Sequence, residues 1–311
     1  MFHQYRFVAK ILLLLDIITP PHYNLLNKDG EAVMKLNEIH VRDPFVLKEG
    51  GKYYLYGTEG KNAWGGKAIG FYVYVSDDMV EFERKCVFLP NERFWADENY
   101  WAPEVHKING RFYMFASFFK EGQLRRSQIL SCDTPDGLFE PLPEPLTPAD
   151  MQCLDATYFN HKGKHYTVFC HEWLQCKDGE MCLAELDGNL KICSPITVLF
   201  RASEAPWTLG FDGGNFVTDG PFIYPLKSGK LLMLWSSNSP TGYAMGMAVA
   251  DDIEGPWTHI EKPLISNNGG HGMIFKDGEK LFITFHLPND TPLERPHFLE
   301  ICEEENELRL V

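Results

Sequence analysis

Short apolar runs separated by glycine-containing turns recur along this chain. Between His40 and Thr58, an apolar run at residues 45–47 is followed by Gly50-Gly51 and then by an aromatic run at residues 53–56. Two such runs joined by a tight turn are typical of a β-hairpin. The pattern therefore predicts two antiparallel strands, with the acidic residue Asp43 at the head of the first.

The same outline returns four more times, which decides the architecture. The positions that align the five copies are Asp43, Pro103, Asp155, Asp219 and His271. They lie about 60, 52, 64 and 52 residues apart, a period that accommodates a four-stranded sheet with its loops. The sequence predicts an all-β fold, a five-bladed β-propeller at residues 37–311, preceded by a lead-in at residues 1–36.

Alternating apolar positions place the outer strands of the blades. We expect such strands at residues 70–76 and 82–89 in the first blade, 128–132 and 139–142 in the second, and 297–302 and 308–310 in the fifth. Closing the propeller leaves few exposed sheet edges. We also expect the lead-in to add a strand to the last blade.

Composition narrows the function classes. The 311 residues are 44% hydrophobic, enough for a large core, and the formal net charge of −14 argues against nucleic-acid binding. No apolar stretch is long enough to span a bilayer, so no membrane partner is expected.

The eight cysteines show no zinc-like spacing and are expected to be free thiols, which favours the cytoplasm. Residues 1–19, basic and then apolar, leave secretion or a periplasmic location open.

Three aspartates form the candidate chemical site. The innermost strand of each propeller blade lines the central channel, so the residues that open the repeats, Asp43, Asp155 and Asp219, are expected to converge at one mouth. Neighbouring carboxylates raise one another's pKa, which allows one site to hold an ionised base and a protonated acid. The alternative is that each aspartate only caps a turn at a strand start.

Five short motifs carry a family resemblance. In chain order they are Arg42-Asp43-Pro44, Tyr100-Trp101-Ala102-Pro103-Glu104, Asp155-Ala156, Asp219-Gly220-Pro221 and Gly270-His271-Gly272. Together they resemble glycoside hydrolase family 43, from about residue 37 to the C-terminus. The resemblance implies an inverting hydrolase on a five-bladed propeller, acting on terminal α-L-arabinofuranosyl or β-D-xylosyl linkages of oligosaccharides.

The resemblance also implies roles for the aspartates. Asp43 corresponds to the general base, Asp155 to the residue that sets the pKa and orientation of the acid, and Asp219 to the proton donor. The family usually has glutamate as the donor, and aspartate is shorter by one methylene, about 1.5 Å. Glu204 is therefore kept as an alternative acid. Inversion predicts about 6.5–9.5 Å between the carboxyls of acid and base.

Further side chains are candidates for substrate contact. Trp101 is expected to stack on a sugar, with Glu104 beside it, and Arg295 to donate to sugar hydroxyls. The resemblance implies that His271 holds a channel water or, through water, a calcium ion; no organic cofactor is required. The expected outer subsites are Trp64, Phe94, Trp95, Trp173 and Trp207.

Two rival functions stay open at this stage. A glycoside phosphorylase on a related propeller would need Arg, Lys and His beside the acid to bind phosphate. A non-catalytic sugar-binding propeller is suggested by the missing glutamate. The oligomeric state and the choice between exo and endo action are not encoded in any recognisable pattern.

Overall fold

The computed structural model describes residues 25–26, 32–60 and 63–311. The signal-like start at residues 1–19 lies outside this part of the chain. Within the described residues, no helix combines the length and the apolar character that crossing a bilayer requires.

The first blade is a six-stranded antiparallel sheet. Its strands follow one another outward from the innermost strand, and two strands of the lead-in extend its outer edge. In chain order they are β1 (Leu25–Leu26), β2 (Ala32–Lys35), β3 (Arg42–Glu49), β4 (Lys52–Thr58), β5 (Phe71–Ser76) and β6 (Glu81–Phe88). The outer strands predicted at residues 70–76 and 82–89 are confirmed.

The other four blades are four-stranded antiparallel sheets in chain order, so the predicted propeller is confirmed. The second blade has β7 (Glu98–Ile108), β8 (Arg111–Phe119), β9 (Arg126–Cys132) and β10 (Glu140–Pro141); the third has β11 (Cys153–His161), β12 (Lys164–His171), β13 (Glu180–Leu186) and β14 (Thr197–Arg201); the fourth has β15 (Asp219–Pro225), β16 (Leu231–Ser239), β17 (Gly242–Ala250) and β18 (Thr258–His259); the fifth has β19 (Gly270–Asp277), β20 (Lys280–Leu287), β21 (Arg295–Glu304) and β22 (Glu307–Leu310). The helical segments are the 3-10 turns Leu36–Glu38 and Ala202–Glu204 and the short helix α1 (Trp173–Cys176).

The core lies between the faces of neighbouring blades. The second and third strands of a blade are covered on both faces, and β16 is accordingly a nearly unbroken apolar run from Leu231 to Trp235, all buried. A strand covered on both faces has no solvent side that would favour alternation. Strand β6, farther from the axis, is only partly covered: Phe82, Val87 and Phe88 are buried, whereas Glu81 and Arg84 are exposed.

The expectation that the lead-in would complete the last blade is wrong. Strand β2 pairs with β6 on the outer edge of the first blade, with Val33 opposite Glu83. The fifth blade closes with its own last strand, because β22 pairs with β21. Directly after the lead-in, Asn37 contacts the fifth blade, since Nε of Arg295 donates to its carbonyl at 3.0 Å.

A β-bulge interrupts the innermost strand of every blade. In each bulge one residue has a left-handed backbone, with φ between 46° and 53°. These residues are Asp43, Ala102, Asp155, Gly220 and His271. The residues just before them, each paired with the second strand, are Arg42, Trp101, Leu154, Asp219 and Gly270.

The bulges correct the alignment of the repeats. Asp43 and Asp155 are structurally equivalent, but Asp219 lies one position earlier, and Gly220 occupies the bulge of the fourth blade. In the second blade the equivalent residue is Ala102 rather than Pro103. Two rings of residues therefore face the mouth, one before the bulge and one at it.

Hydrogen bonds from the bulge amides tie each blade to the one before it. Four of these amides donate to a side chain on the second strand of the preceding blade. The pairs are Ala102 to Thr58 at 2.8 Å, Asp155 to Ser117 at 2.8 Å, His271 to Ser236 at 2.8 Å and Asp43 to His286 at 3.1 Å. In the third blade the corresponding residue is Cys170, and the Gly220 amide donates instead to Oδ2 of Asp155 at 3.0 Å.

Candidate active site

Asp43 is buried and surrounded by donors. Its Oδ2 accepts a hydrogen bond from Thr58 Oγ1 at 2.7 Å, while Oδ1 lies 3.1 Å from Nδ1 of His271 and 3.4 Å from Nε of Arg42. Burial alone would raise the pKa of Asp43, but His271 and Arg42 outweigh it and hold the pKa well below its usual range. Oδ1 is buried and has no hydrogen bond of good geometry within the described residues.

Asp155 is buried on the other side of the same histidine. Nδ1 of His271 lies 3.8 Å from Oδ2 of Asp155, and the hydroxyl of Ser117 lies 3.4 Å from Oδ1. Burial and the charge of Asp43 raise the pKa of Asp155 to about 8, against the lowering effect of the Gly220 amide. This carboxyl therefore holds a proton much more tightly than Asp43 does.

Asp219 is less deeply buried than the other two aspartates. Its Oδ2 accepts a hydrogen bond from the hydroxyl of Tyr243 at 2.9 Å. Burial and the charge of Asp155 raise the pKa of Asp219 to about 7. Near neutral pH, Asp155 and Asp219 therefore bind protons while Asp43 is ionised. Asp43 raises the pKa of Asp155, and both raise the pKa of Asp219, so the three carboxyls lie close together at one mouth.

Two histidines of the fifth blade, His271 and His286, lie beside Asp43. Nδ1 of His286 accepts the amide of Asp43, so the ring proton is on Nε2, which donates to Oδ1 of Asn289 at 3.1 Å. Burial and the charge of Arg42 lower the pKa of His286 to about 3, so this ring is neutral. His271 packs against the backbone of Gly220, where an added Cβ would lie 2.6 Å from Cδ2 of the ring.

Arg42, the residue just before Asp43, holds the base in place through its guanidinium. Its Nη1 donates to the buried Glu294 at 3.2 Å and its Nη2 to Asn289 at 2.9 Å. Since Asn289 also accepts from His286, the guanidinium, the amide and the imidazole form one network around Asp43.

Two tryptophans, Trp101 and Trp64, form an aromatic wall beside the carboxyls. Trp101 Nε1 donates to the carbonyl of Ala63 at 2.6 Å, and the ring of Trp64 meets it edge-on with centroids 6.0 Å apart. The guanidinium of Arg125 lies 4.0 Å from the centroid of Trp101. Arg125 is itself held by both oxygens of the buried Glu172 at 3.0 Å. Trp101 and the 56% exposed Trp64 are thus placed to meet a sugar.

Two predicted site residues lie elsewhere. Glu204 is an exposed residue of a 3-10 turn beyond the outermost strand of the third blade, and it accepts the amide of Arg201 at 2.9 Å. Arg295 donates to the carbonyls of Asn37, Leu293 and Glu294 rather than to the mouth. The expectations for both were wrong, because a carboxylate or guanidinium in a loop equally often serves the local backbone.

Glu104 lies inside the channel rather than at the mouth. It follows the bulge of the second blade, is 8% exposed, and accepts from Thr157 Oγ1 at 2.5 Å and from His106 Nε2 at 3.2 Å. The equivalent residues of the other blades include Phe45 and Phe222, which line a separate cavity of about 510 Å³. The position of Glu104 therefore does not support direct contact with a substrate at the mouth.

Of the five aromatic residues expected to form outer subsites, one lies at the mouth and the other four pack or bond elsewhere. Trp64 stands at the mouth, whereas Trp207 is 5% exposed and packs on Trp235 with centroids 4.7 Å apart. Phe94 packs in the core against Phe118, Trp95 donates to Gln128, and Trp173 meets Phe211 edge-on. Sequence position next to a loop does not distinguish these cases.

Sequence reasoning missed the residues that hold the aspartates. They include Arg42, Thr58, Ser117, Arg125, Glu172, Ser236, Tyr243 and His286. A usable signal existed for three of them, because Thr58, Ser117 and Ser236 are polar residues at the same point of otherwise apolar second strands. Tyr243 and Arg125 carry no such pattern.

The donor set at His271 does not fit directly bound calcium. Calcium prefers six to eight oxygen ligands, whereas Nδ1 of His271 faces Asp43, a carboxylate that Arg42 already neutralises. Elsewhere in the described residues, His171, Cys176 and Glu180 bring ligand atoms within 4.8 Å of one another. There Nδ1 of His171 bonds Glu180 at 2.9 Å and Arg201 bonds the other oxygen at 2.7 Å, so the side chains satisfy one another.

A cavity of about 730 Å³ adjoins the base. Its walls include Arg42 and Thr58 from the site, Ala63 beside the aromatic wall, and Pro292 and Glu294 from the fifth blade. None of the three aspartates lines this cavity, which lies beside the mouth next to Arg42 and Thr58.

Comparison with known families agrees with this geometry. The profile of glycosyl hydrolases family 43 matches residues 37–304. The chain belongs to this family. Its five motifs, identified from the sequence, all fall within the matched region.

Two relatives are similar to this chain over different lengths. The crystal structure of an endo-arabinase from Bacteroides thetaiotaomicron has 35% identity and a TM-score of 0.82, and the alignment covers 88% of this chain and 98% of that one. An extracellular exo-alpha-(1->5)-L-arabinofuranosidase from Streptomyces chartreusis is 27% identical over 207 residues, 60% of this chain and 62% of that protein. This alignment therefore spans less than two thirds of the Streptomyces enzyme.

More distant structures share the fold. A beta-xylosidase/alpha-arabinofuranosidase from a compost microbial metagenome, solved in complex with xylotriose, is 17% identical with a TM-score of 0.69 and covers 90% of this chain and 97% of its own. At this identity the likeness concerns the propeller alone.

Proposed function

We propose that the protein is an inverting glycosidase that cleaves α-L-arabinofuranosyl or β-D-xylosyl linkages in oligosaccharides. The observation that carries the proposal is the division of proton affinity among three converging carboxyls. Asp43 has a lowered pKa, and Asp219 a pKa raised to about 7. An ionised carboxylate and a protonated acid in one mouth are what glycoside hydrolysis requires, and membership of family 43 favours the inverting course.

In this proposal each carboxyl has one role. Asp43, the ionised carboxylate, accepts a proton from the attacking water. Asp219 gives its proton to the oxygen of the leaving sugar, and the glycosidic bond breaks as the water oxygen bonds the anomeric carbon from the opposite face. Asp155 raises the pKa of Asp219 and fixes its strand through the Gly220 amide.

The substrate class follows from the wall and from the relatives. Trp101 and Trp64 offer aromatic faces to a sugar, and the cavity beside Arg42 leaves room for further units of an oligosaccharide. The names of the relatives, an endo-arabinase and an exo-acting arabinofuranosidase, favour an arabinose-containing substrate. We propose no organic cofactor, and a calcium ion held through water near His271 only as a non-catalytic addition.

The test is hydrolysis of a small panel of substrates. Nitrophenyl α-L-arabinofuranoside, nitrophenyl β-D-xyloside and linear arabino-oligosaccharides are incubated with the purified protein, with and without a chelator. We expect turnover of at least one, with the product released in the inverted anomeric form by proton NMR. Product in the retained form, or no turnover of any substrate, contradicts the proposal; a melting temperature that the chelator lowers supports the calcium ion.

The phosphorylase alternative requires basic side chains beside the acid that are also free to bind phosphate. The side chains are present, but the arginines are occupied. Arg42, Arg125, His271 and His286 do surround the carboxyls. However, Arg42 is engaged by Glu294 and Asn289, and Arg125 by Glu172 and Asn99. Forked donors already occupied by protein carboxylates are poorly suited to bind phosphate. Activity that depends on added phosphate would favour this alternative.

A further inference from the structure

Tyr243 holds the carboxyl of Asp219 directly. Its hydroxyl donates to Oδ2 at 2.9 Å, and within the described residues no other hydrogen bond to this carboxyl is made. Burial and the charge of Asp219 raise the pKa of Tyr243 well above its usual range, so the hydroxyl keeps its proton and acts as the donor.

The ring of Tyr243 has little freedom to move. It stacks on His286 with centroids 5.7 Å apart and an interplanar angle of 17°. Gly270 also lies against the ring: an added Cβ there would lie 2.9 Å from the ring carbons. A glycine at position 270 is therefore needed to admit the tyrosine, and the contacts with His286 and Gly270 hold the ring in place.

This hydrogen bond distinguishes the two oxygens of Asp219. Because Oδ2 accepts from Tyr243, the proton of the neutral acid belongs on Oδ1. We propose that Tyr243 is a positioning residue that keeps the proton of Asp219 on Oδ1 and directs it at the leaving-group oxygen. The inference rests on the proposed hydrolase activity and on Asp219 as its acid.

The same contacts connect the acid to the base. His286, on which Tyr243 stacks, accepts the amide of Asp43 through Nδ1. A rigid wall of Tyr243 and His286 therefore sets the spacing between a short acid and its base. An aspartate that lacks the reach of glutamate depends on such fixed geometry, since an error of about 1 Å costs a large factor in rate.

The experiment compares Tyr243→Phe with Tyr224→Phe. The control removes a similar hydroxyl of the fourth blade, which donates to Glu303 at 2.9 Å, far along the strand from the mouth. Each variant is assayed on a dinitrophenyl pentoside, whose leaving group needs no protonation, and on an unactivated oligosaccharide, whose leaving group does. Melting curves verify that Tyr243→Phe, which keeps the ring, folds like the wild type.

The expected result is a selective loss. In Tyr243→Phe, kcat/KM falls about 10- to 100-fold on the oligosaccharide and less than about 3-fold on the dinitrophenyl substrate. The alkaline limb of the oligosaccharide profile moves to higher pH, because a hydrogen bond that lowers the pKa of Asp219 is lost. Tyr224→Phe changes neither quantity.

Two outcomes would overturn different statements. Equal losses on both substrates, with an unmoved alkaline limb, would leave Tyr243 a structural residue while the hydrolase proposal stands. A wild-type protein that cleaves neither substrate would overturn the hydrolase proposal, and the role of Tyr243 with it.

Discussion

The backbone amide of Gly220 donates to Oδ2 of Asp155 at 3.0 Å, although the two residues belong to different blades. In the other four blade junctions the bulge amide reaches a side chain on a second strand. At this junction the second strand offers Cys170, a weak acceptor, and the carboxylate takes its place. Since Gly220 directly follows Asp219, this bond joins Asp155 to the strand that carries the acid.

Gly220→Ala is expected to displace His271. The backbone at this position is left-handed, and an added Cβ would lie 2.6–2.9 Å from the imidazole that faces Asp43. We predict a loss in kcat/KM of at least about 100-fold, since the reacting groups are displaced. Gly229→Ala is the control: its φ is +88°, and nothing lies within 4 Å of the added Cβ. Equal activity of the two variants would show that His271 tolerates displacement.

Asp43→Asn removes the base without changing the shape of the side chain. We predict that kcat/KM falls by at least about 1,000-fold while the melting curve still shows a folded protein. The amide cannot accept a proton from water, although it still fits beside Thr58 and His271. Asp133→Asn on the exposed surface of the second blade should keep full activity. Sugar binding with no turnover in the wild type would instead favour a non-catalytic propeller.

Asp219→Glu is expected to lower the activity, although the family usually has glutamate as its acid. The added methylene moves the carboxyl by about 1.5 Å and takes it out of reach of a tyrosine hydroxyl that packing holds still. We predict a loss of at least about 10-fold on unactivated oligosaccharides in steady-state assays. Unchanged or higher activity would mean that the mouth is built for the longer acid.

The activity should decline on the alkaline side near neutrality. Asp219, with a pKa raised to about 7, and Asp155, with a pKa raised to about 8, lose their protons there. The acidic limb should lie at low pH, because the pKa of Asp43 is held well below its usual range. A profile of kcat/KM against pH checks both limbs. Activity that still rises above about pH 9 would exclude these carboxyls as the acid.

The stability of Asp219→Asn relative to the wild type should depend on pH. The pKa of Asp219 is raised in the folded state from its ordinary value of 3.8 to about 7, so its contribution to stability is favourable at low pH and is lost as the pH rises through 7. The uncharged amide avoids burying a carboxylate at high pH. We predict a melting temperature at about pH 8 at least about 2 °C above the wild type, and a smaller difference at about pH 5. The same difference at both pH values would contradict the raised pKa.

Much of the fold followed from local pattern. The five repeats predicted the blades, and most strand positions were confirmed because turn residues and apolar runs act over a few residues. The lead-in strand was assigned to the wrong blade, since pairing at a sheet edge depends on which edge is open in space.

The sequence by itself determined five blades, a single channel and three aspartates near its mouth, because a repeated hairpin pattern and its acidic residues are local properties. Only the tertiary structure decided that Asp219 precedes its bulge while Asp43 and Asp155 occupy theirs. A bulge sets two residues against one, and nothing in the alternation of apolar residues reveals it. The tertiary structure also chose Tyr243 and His286 as the partners of acid and base, since hydrogen bonds such as that between Asp43 and His286 join residues 243 positions apart.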